Sequence, residues 1–253
     1  MGVLQNFIKE VKAFSRTNWW VYIIYFILLG IILKVEQEKL PSVLMITSLH
    51  FVADIFIMMM FTAYSNNQKK QGTYYQVMSM LIFMSLKIYT GIVDHTWHYL
   101  AADPIYIFAA VKNYRIDVKK SDLKFVNYKT MSVLGIFIIL FLMAVSTRPG
   151  SSLTITPSEW VQTTGIFLFA IALSTTGNEH LRSELAIMAL VAMVAGSAWE
   201  TGSLLVNHKI VGLALSYFLL PLTVLVFYIR NWSATLHSKK KPDSIDLPLT
   251  TEQ

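Results

Sequence analysis

The sequence predicts an all-α, polytopic integral membrane protein with about eight transmembrane helices. Hydrophobic residues make up 55% of the 253-residue chain and charged residues only 14%, whereas about a quarter of a soluble domain is charged. The Lys and Arg residues flank every second apolar stretch, which is the pattern of basic loops on the cytoplasmic side of a membrane. With eight spans, both termini are predicted to be cytoplasmic.

Net charge and cysteine content exclude several other classes of protein. The formal net charge is +6, but the excess of Lys and Arg lies in the predicted inside loops, where membrane topology already accounts for it. We therefore expect no nucleic-acid partner. The chain has no Cys, which excludes disulfides and thiolate metal sites.

The chain divides into an N-terminal surface segment, eight spans and a polar tail. Residues 1–17 have helical apolar spacing with basic residues between, which predicts an amphipathic helix along the inner membrane surface. A helix needs about 20 apolar residues to cross the bilayer, and segments near that length are predicted at 18–34, 42–64, 73–93, 97–112, 130–147, 159–177, 184–206 and 210–229. The polar residues 233–253 predict a disordered cytoplasmic tail.

The spacing of the spans predicts an internal repeat. Residues 41–115 and 158–232 are segments of equal length, each with three spans, and 18–34 is an extra N-terminal span. Residues 116–157 form an inside loop and a lone linker helix. Because that helix separates two units of three, both units run from outside to inside, which predicts parallel three-helix repeats of the kind found in some small-solute transporters.

Three segments carry a family resemblance. They are an inside turn rich in Asn and Lys, the aromatic and basic end of the first repeat, and the end of the last span, at residues 66–70, 109–114 and 227–232. With the three-plus-one-plus-three layout over about 41–232, they resemble the bacterial vitamin and nucleoside transporters of the nicotinamide riboside type, whose fold is like that of the sugar-transporting SWEET proteins. The resemblance implies facilitated diffusion of a nucleoside-like molecule or vitamin precursor across the bacterial cytoplasmic (inner) membrane, with phosphorylation in the cytosol trapping the substrate.

Ionisable residues inside the predicted spans indicate a polar site. An embedded charge costs about 2.5 to 3.5 kcal/mol on insertion scales. His50 and Asp54 are four residues apart and share a helical face, while Lys87, Asp103 and Glu200 lie at a similar depth in other spans. If Lys87 pairs with Asp54 or Asp103, the charges could simply form a buried ion pair that fixes helix packing. One lysine, however, cannot neutralise three carboxylates. We therefore expect a water-filled cavity for a small polar substrate, and the buried carboxylates would also permit proton coupling.

Aromatic residues and prolines extend this predicted site. Trp199 adjoins Glu200, and Tyr89 and Tyr217 are candidate stacking partners for a substrate. Pro104 follows Asp103 directly and is predicted to break the fourth span, because proline removes a helical hydrogen bond. Pro221 would act in the same way in the last span. No cofactor is predicted, the bilayer and a small molecule are the expected partners, and homo-oligomerisation stays open.

An intramembrane enzyme is the alternative hypothesis. His50, Asp54, His98 and Asp103 have the ligand types of a zinc site that activates water, which would suit a metal-dependent hydrolase acting on lipid. The sequence has no HExxH or paired HxxxH motif, so we predict no metal and favour the transporter.

Overall fold

Helices make up most of the described chain. The computed structural model describes residues 2–239 except 122, 149–150, 152, 177 and 208–211. These residues are 86% helical, with no strand among them. The helices are α1 (Gly2–Thr17), α2 (Trp19–Val35), α3 (Leu40–Ser65), α4 (Lys69–Asp94), a 3₁₀ helix (Trp97–Ala102), α5 (Asp103–Asp117), α6 (Tyr128–Ser146), α7 (Pro157–Ser174), α8 (Glu179–Val206) and α9 (Gly212–Lys239).

Five of the described helices are long and apolar enough to cross a membrane. They are α3, α4, α6, α8 and α9, and a sixth candidate is the pair α1 and α2, which is bent by 81° at its break. Helices also lie at the remaining predicted spans, but α5 has only 15 residues. The first turns of α7 carry Glu159 and Gln162, which lower its hydropathy. The fold is thus all-helical and consistent with an integral membrane protein.

The predicted fourth span starts differently from expectation. The segment 97–112 was expected to be one helix broken at Pro104, but the 3₁₀ helix covers its first part and α5 begins at Asp103. Pro104 therefore lies in the first turn of α5, where its missing N–H removes no helical hydrogen bond. Pro221 does lie inside its helix, α9.

The helices pack so that the first helix of each predicted repeat contacts the last helix of the other. Helix α3 packs against α4 and α9, and α7 packs against α8 and α5. Helix α6 lies at the periphery, and Phe137 and Phe141 on its surface are each 67% exposed. The backbone N–H of Gly212 donates to Glu36 Oε1 at 2.7 Å. The end of α2 and the start of α9 therefore meet at one end of the bundle, which we call the outer end after the charge pattern.

Helix α1 is anchored to the opposite, inner end. Glu10 accepts a hydrogen bond from Gln71 Nε2 at 2.9 Å and another from the Tyr75 hydroxyl, both on α4. The ring of Phe7 stacks on that of Phe56, with centroids 6.2 Å apart. Burial raises the pKa of Glu10 above its ordinary value, because the charged carboxylate loses contact with water.

The last helix is longer than the sequence predicted. Helix α9 continues to Lys239, whereas the sequence predicts a disordered tail from residue 233. That stretch contains the helix formers Ala, Leu and Lys and no Pro or Gly, so nothing in it ends the helix. Residues 240–253 of the predicted tail lie outside the described residues.

The predicted topology is testable because the chain has no native Cys. Gln68→Cys and His180→Cys place thiols at exposed inner-end positions, and Glu38→Cys and Asn207→Cys do so at the outer end. In intact cells, we expect a membrane-impermeant maleimide to label only the two outer-end variants, since the basic loops stay in the cytoplasm. Labelling of the His180→Cys variant without permeabilisation would show that the protein has the opposite orientation in the membrane.

Candidate binding cavity

A cavity of about 390 Å³ lies inside the helix bundle. Side chains of α3, α4, α7, α8 and α9 line it, together with the start of α5. Six of the eight residues predicted to bind substrate are on its wall: His50, Asp54, Lys87, Asp103, Glu200 and Tyr217. The structure thus brings together side chains from five helices that are far apart in the sequence.

The other two predicted residues do not line the cavity. Trp199 is 58% exposed, and Tyr89 is outside the lining. Successive residues of an α-helix are rotated by about 100°. A helix that turns Glu200 or Lys87 inward therefore turns Trp199 and Tyr89 to other faces. Their predicted contact with substrate finds no support in this geometry.

Lys87 and Asp103 form the charged pair on one wall of the cavity. Lys87 Nζ donates to Asp103 Oδ1, so the lysine pairs with Asp103 and not with Asp54. The same Nζ lies 5.2 Å from the centroid of the Tyr106 ring, close enough for a cation–π contact. Asp103 Oδ2 is buried and has no hydrogen-bond partner among the described residues.

His50 and Asp54 face the cavity from α3. His50 Nδ1 lies 3.6 Å from Asp54 Oδ2, which is too long for a hydrogen bond. Both atoms are buried without a hydrogen-bond partner in the part of the chain that is described. The imidazole is held edge-on by Phe83 and Tyr217, with centroid separations of 5.1 and 5.7 Å. Its orientation is therefore fixed by aromatic packing.

Glu200 is held by a chain of hydrogen bonds from uncharged side chains. Gln162 Nε2 donates to Glu200 Oε2 at 2.8 Å, and the Tyr99 hydroxyl donates to Gln162 Oε1 at 3.3 Å. No Lys, Arg or His of the described residues forms an ion pair with Glu200. Sequence reasoning missed Tyr99 and Gln162 as site residues, although a Gln inside an apolar span was a usable signal.

The four residues of the alternative zinc site do not converge on one point in the described part of the chain, although His50, Asp54 and Asp103 line the same cavity. His98 is 3% exposed, and its Nε2 lies 3.9 Å from Glu159 Oε1. Glu159 Oε2 accepts from the backbone N–H and hydroxyl of Thr156 in a capping box at the start of α7. Within the described ranges, no group of three or more His, Asp or Glu side chains could hold a metal ion.

A second set of polar side chains joins the helices at the inner end of the cavity. Asn113 Nδ2 donates to Gln76 Oε1 at 2.8 Å and to the carbonyl oxygen of Leu173 at 3.1 Å. The Tyr64 hydroxyl donates to the same Gln76 oxygen at 3.3 Å. Thr73 Oγ1 donates to Asp117 Oδ2 at 2.7 Å. We call this set the inner polar network: Tyr64, Thr73, Gln76, Asn113 and Asp117.

The inner polar network ties α3, α4, α5 and α7 to one another. Its members were not predicted, because Asn, Thr and Tyr near a helix end are usual at a membrane interface. Tyr64 also packs on α4, since a Cβ added at Gly72 would lie 2.9 Å from the Tyr64 ring. Position 72 therefore requires glycine for this close approach.

Comparison with known proteins gives no match to a family model, a curated protein or a solved structure. Fold and site together define an all-helical chain, consistent with an integral membrane protein, that encloses a charged cavity. The functional inference rests on the chemistry of that cavity.

The buried ion pair makes a testable contribution to stability. Lys87→Met leaves Asp103 without its cation, and breaking such a pair costs about 3 to 5 kcal/mol. We expect a clearly lower unfolding midpoint in a thermal melt followed by Trp fluorescence. The double variant Lys87→Met/Asp103→Leu should recover much of the loss, because neither charge is then buried alone.

Lys70→Met is the matched control for this experiment, because Lys70 is exposed at the inner end of the same helix. Its melting midpoint should stay near that of the wild type. Equal midpoints for Lys87→Met and Lys70→Met would show that the Lys87–Asp103 pair does not stabilise the bundle.

Proposed function

We propose that this protein is a membrane carrier for a small polar metabolite, of the size of a nucleoside or a vitamin precursor. The observation that carries the proposal is the cavity lined by His50, Asp54, Lys87, Asp103 and Glu200. Ionisable side chains inside a membrane bundle face the interior or a water-filled path and mark routes for substrates or ions. The volume of the cavity, about 390 Å³, falls within the range of small-molecule binding sites.

The helix packing supports an eight-span carrier built from two parallel repeats. In this proposal α3 to α5 form one repeat and α7 to α9 the other, joined by the peripheral α6. Contacts of α3 with α9 and of α7 with α5 are what a two-fold relation between the repeats would produce. Helix α7 would be a central span, which explains its polar composition, since much of it is buried among neighbouring helices. Helix α5 would be a short span that keeps one exposed face, with Ile107, Phe108 and Val111 on it.

The cavity differs between its two ends in a way that suits a carrier. Its lining reaches Thr96, just after α4, and Leu204 and Leu213 near the outer ends of α8 and α9. At the other end, Gln76 belongs both to the lining and to the inner polar network. We propose that this is the outward-facing state, and that release to the cytoplasm requires the hydrogen bonds of the inner polar network to break.

Uptake measurements test the carrier proposal. The first step is a thermal-shift panel of nucleosides, vitamins and lysolipids. The second is uptake of radiolabelled hits into proteoliposomes. We expect saturable uptake of a nucleoside or vitamin, reduced about tenfold or more by Asp54→Asn and by Glu200→Gln. These amides keep the side-chain shape but lose the charge, and tenfold corresponds to the loss of one interaction of about 1.4 kcal/mol.

Glu184→Gln is the matched control, because Glu184 lies on the same helix as Glu200 with its side chain 52% exposed at the inner end. It should leave uptake unchanged. Misfolding of both the Asp54→Asn and the Glu200→Gln variants would indicate that the carboxylates stabilise helix packing and do not bind substrate. Hydrolysis of a lysolipid by the metal-loaded protein, without uptake of any compound, would instead favour the intramembrane enzyme.

A further inference from the structure

The cavity wall carries more negative than positive charge. Its acidic side chains are Asp54, Asp103, Glu159 and Glu200, whereas Lys87 is the one Lys or Arg of the lining. A buried charge needs a partner of opposite sign, water or a proton. The identity of the ligand therefore depends on which carboxylates lack a partner within the protein.

Two of the four carboxylates already have partners within the protein. Asp103 is paired with Lys87. Glu159 caps α7 through Thr156 and has His98 at 3.9 Å. Neither is the main candidate for the charge of a ligand, although Asp103 Oδ2 still lacks a hydrogen-bond partner among the described residues.

Asp54 and Glu200 are the carboxylates that a ligand would complete. Asp54 Oδ2 is buried without a hydrogen-bond partner in the described part of the chain, and the nearest basic atom, His50 Nδ1, lies 3.6 Å away. Glu200 receives the amide of Gln162, which donates a hydrogen bond but brings no charge. Both carboxylates can therefore accept hydrogen bonds from a cationic group.

The rest of the wall suits the body of an organic cation. Phe83, Tyr99, Phe169 and Tyr217 line the same cavity, and aromatic faces attract ammonium groups as well as flat ring systems. Donors are also available to the polar part of a ligand, since Gln76 Nε2 and the Thr96 hydroxyl are buried without partners among the described residues. A bare metal ion would use none of these aromatic surfaces.

We propose that the ligand of this cavity is a small organic cation, a protonated amine on an aromatic or nucleoside-sized body. Its N–H groups donate to the carboxylates of Asp54 and Glu200, and its body lies against the aromatic residues. The proposal rests on the carrier function given above and specifies its substrate class. An alternative in which Asp54 and Glu200 are protonated would favour neutral ligands and is one outcome of the test.

Two series of ligands that differ only in charge provide the test. One is 5′-amino-5′-deoxyadenosine, adenosine and adenosine 5′-carboxylate; the other is tyramine, tyrosol and hydroxyphenylpropionate. In each series the members are a cation, a neutral molecule and an anion of similar size. Affinity is measured from the ligand-dependent unfolding midpoint, and transport from uptake into proteoliposomes, both with the full chain.

We expect the cation of at least one series to bind about tenfold or more tightly than its neutral partner, a difference of about 1.4 kcal/mol. Glu200→Gln and Asp54→Asn should reduce that ratio toward one while leaving the weak binding of the neutral member, because only the charge is removed. Glu184→Gln, the exposed control on the same helix, should leave the ratio unchanged.

The outcomes separate this inference from the carrier proposal. Preferred binding of the neutral or anionic member, or no binding of either cation, overturns the organic-cation inference. Saturable uptake of adenosine without any charge preference would do so while upholding the carrier. Tight binding of a cation that never crosses the proteoliposome membrane would uphold the cation site and contradict the carrier.

Discussion

A charged side chain in the hydrocarbon layer must meet an opposite charge, a hydrogen-bond partner or water, and the arrangement of this bundle follows from that constraint. Helices α3, α4, α5 and α8 each turn an ionisable residue toward the same interior space. Lys87 and Asp103 satisfy one another, whereas Glu200 depends on the neutral amide of Gln162. Because one lysine faces several carboxylates, the others need water, a proton or a ligand. A cavity onto which these ionisable groups open is an arrangement that meets the constraint.

The constraint also explains why the two ends of the cavity differ. At the inner end, Asn113 Nδ2 donates to Gln76 Oε1 at 2.8 Å and to the carbonyl oxygen of Leu173 on α7 at 3.1 Å. These hydrogen bonds join α4, α5 and α7 directly, although Gln76 Nε2 has no partner among the described residues. Toward the outer end, the wall keeps unpaired polar atoms such as Thr96 Oγ1 among its described residues. In a carrier, access would alternate by breaking the inner hydrogen bonds and forming others at the outer end.

The positions of the helices and most of the cavity residues could be predicted from the sequence. The direction of individual side chains and their hydrogen-bond partners depend on tertiary contacts. Hydropathy located a helix at every predicted span, and the cost of charge in lipid selected Asp54, Lys87 and Glu200, which do line one cavity. The direction of a side chain was harder to predict, because Trp199 differs from Glu200 by one helical step and faces outward. The role of Gln162 was also missed, because selection by charge passes over a neutral amide and its partner Glu200 is remote in the sequence.

The accessibility of a thiol inside the cavity tests directly whether the carboxylates line a space that is open to the outer side. Ser197 lines the cavity and is 4% exposed, and Ser197→Cys is nearly isosteric in a chain without Cys. With a cationic methanethiosulfonate applied from the outer side of intact cells, we expect modification of this thiol and protection by a bound cation. Ser174→Cys, fully buried outside the cavity lining, should stay unmodified. A thiol at position 197 that reacts only after denaturation would show instead that the carboxylates lie in a closed, packed core and that the cavity does not open to the outside.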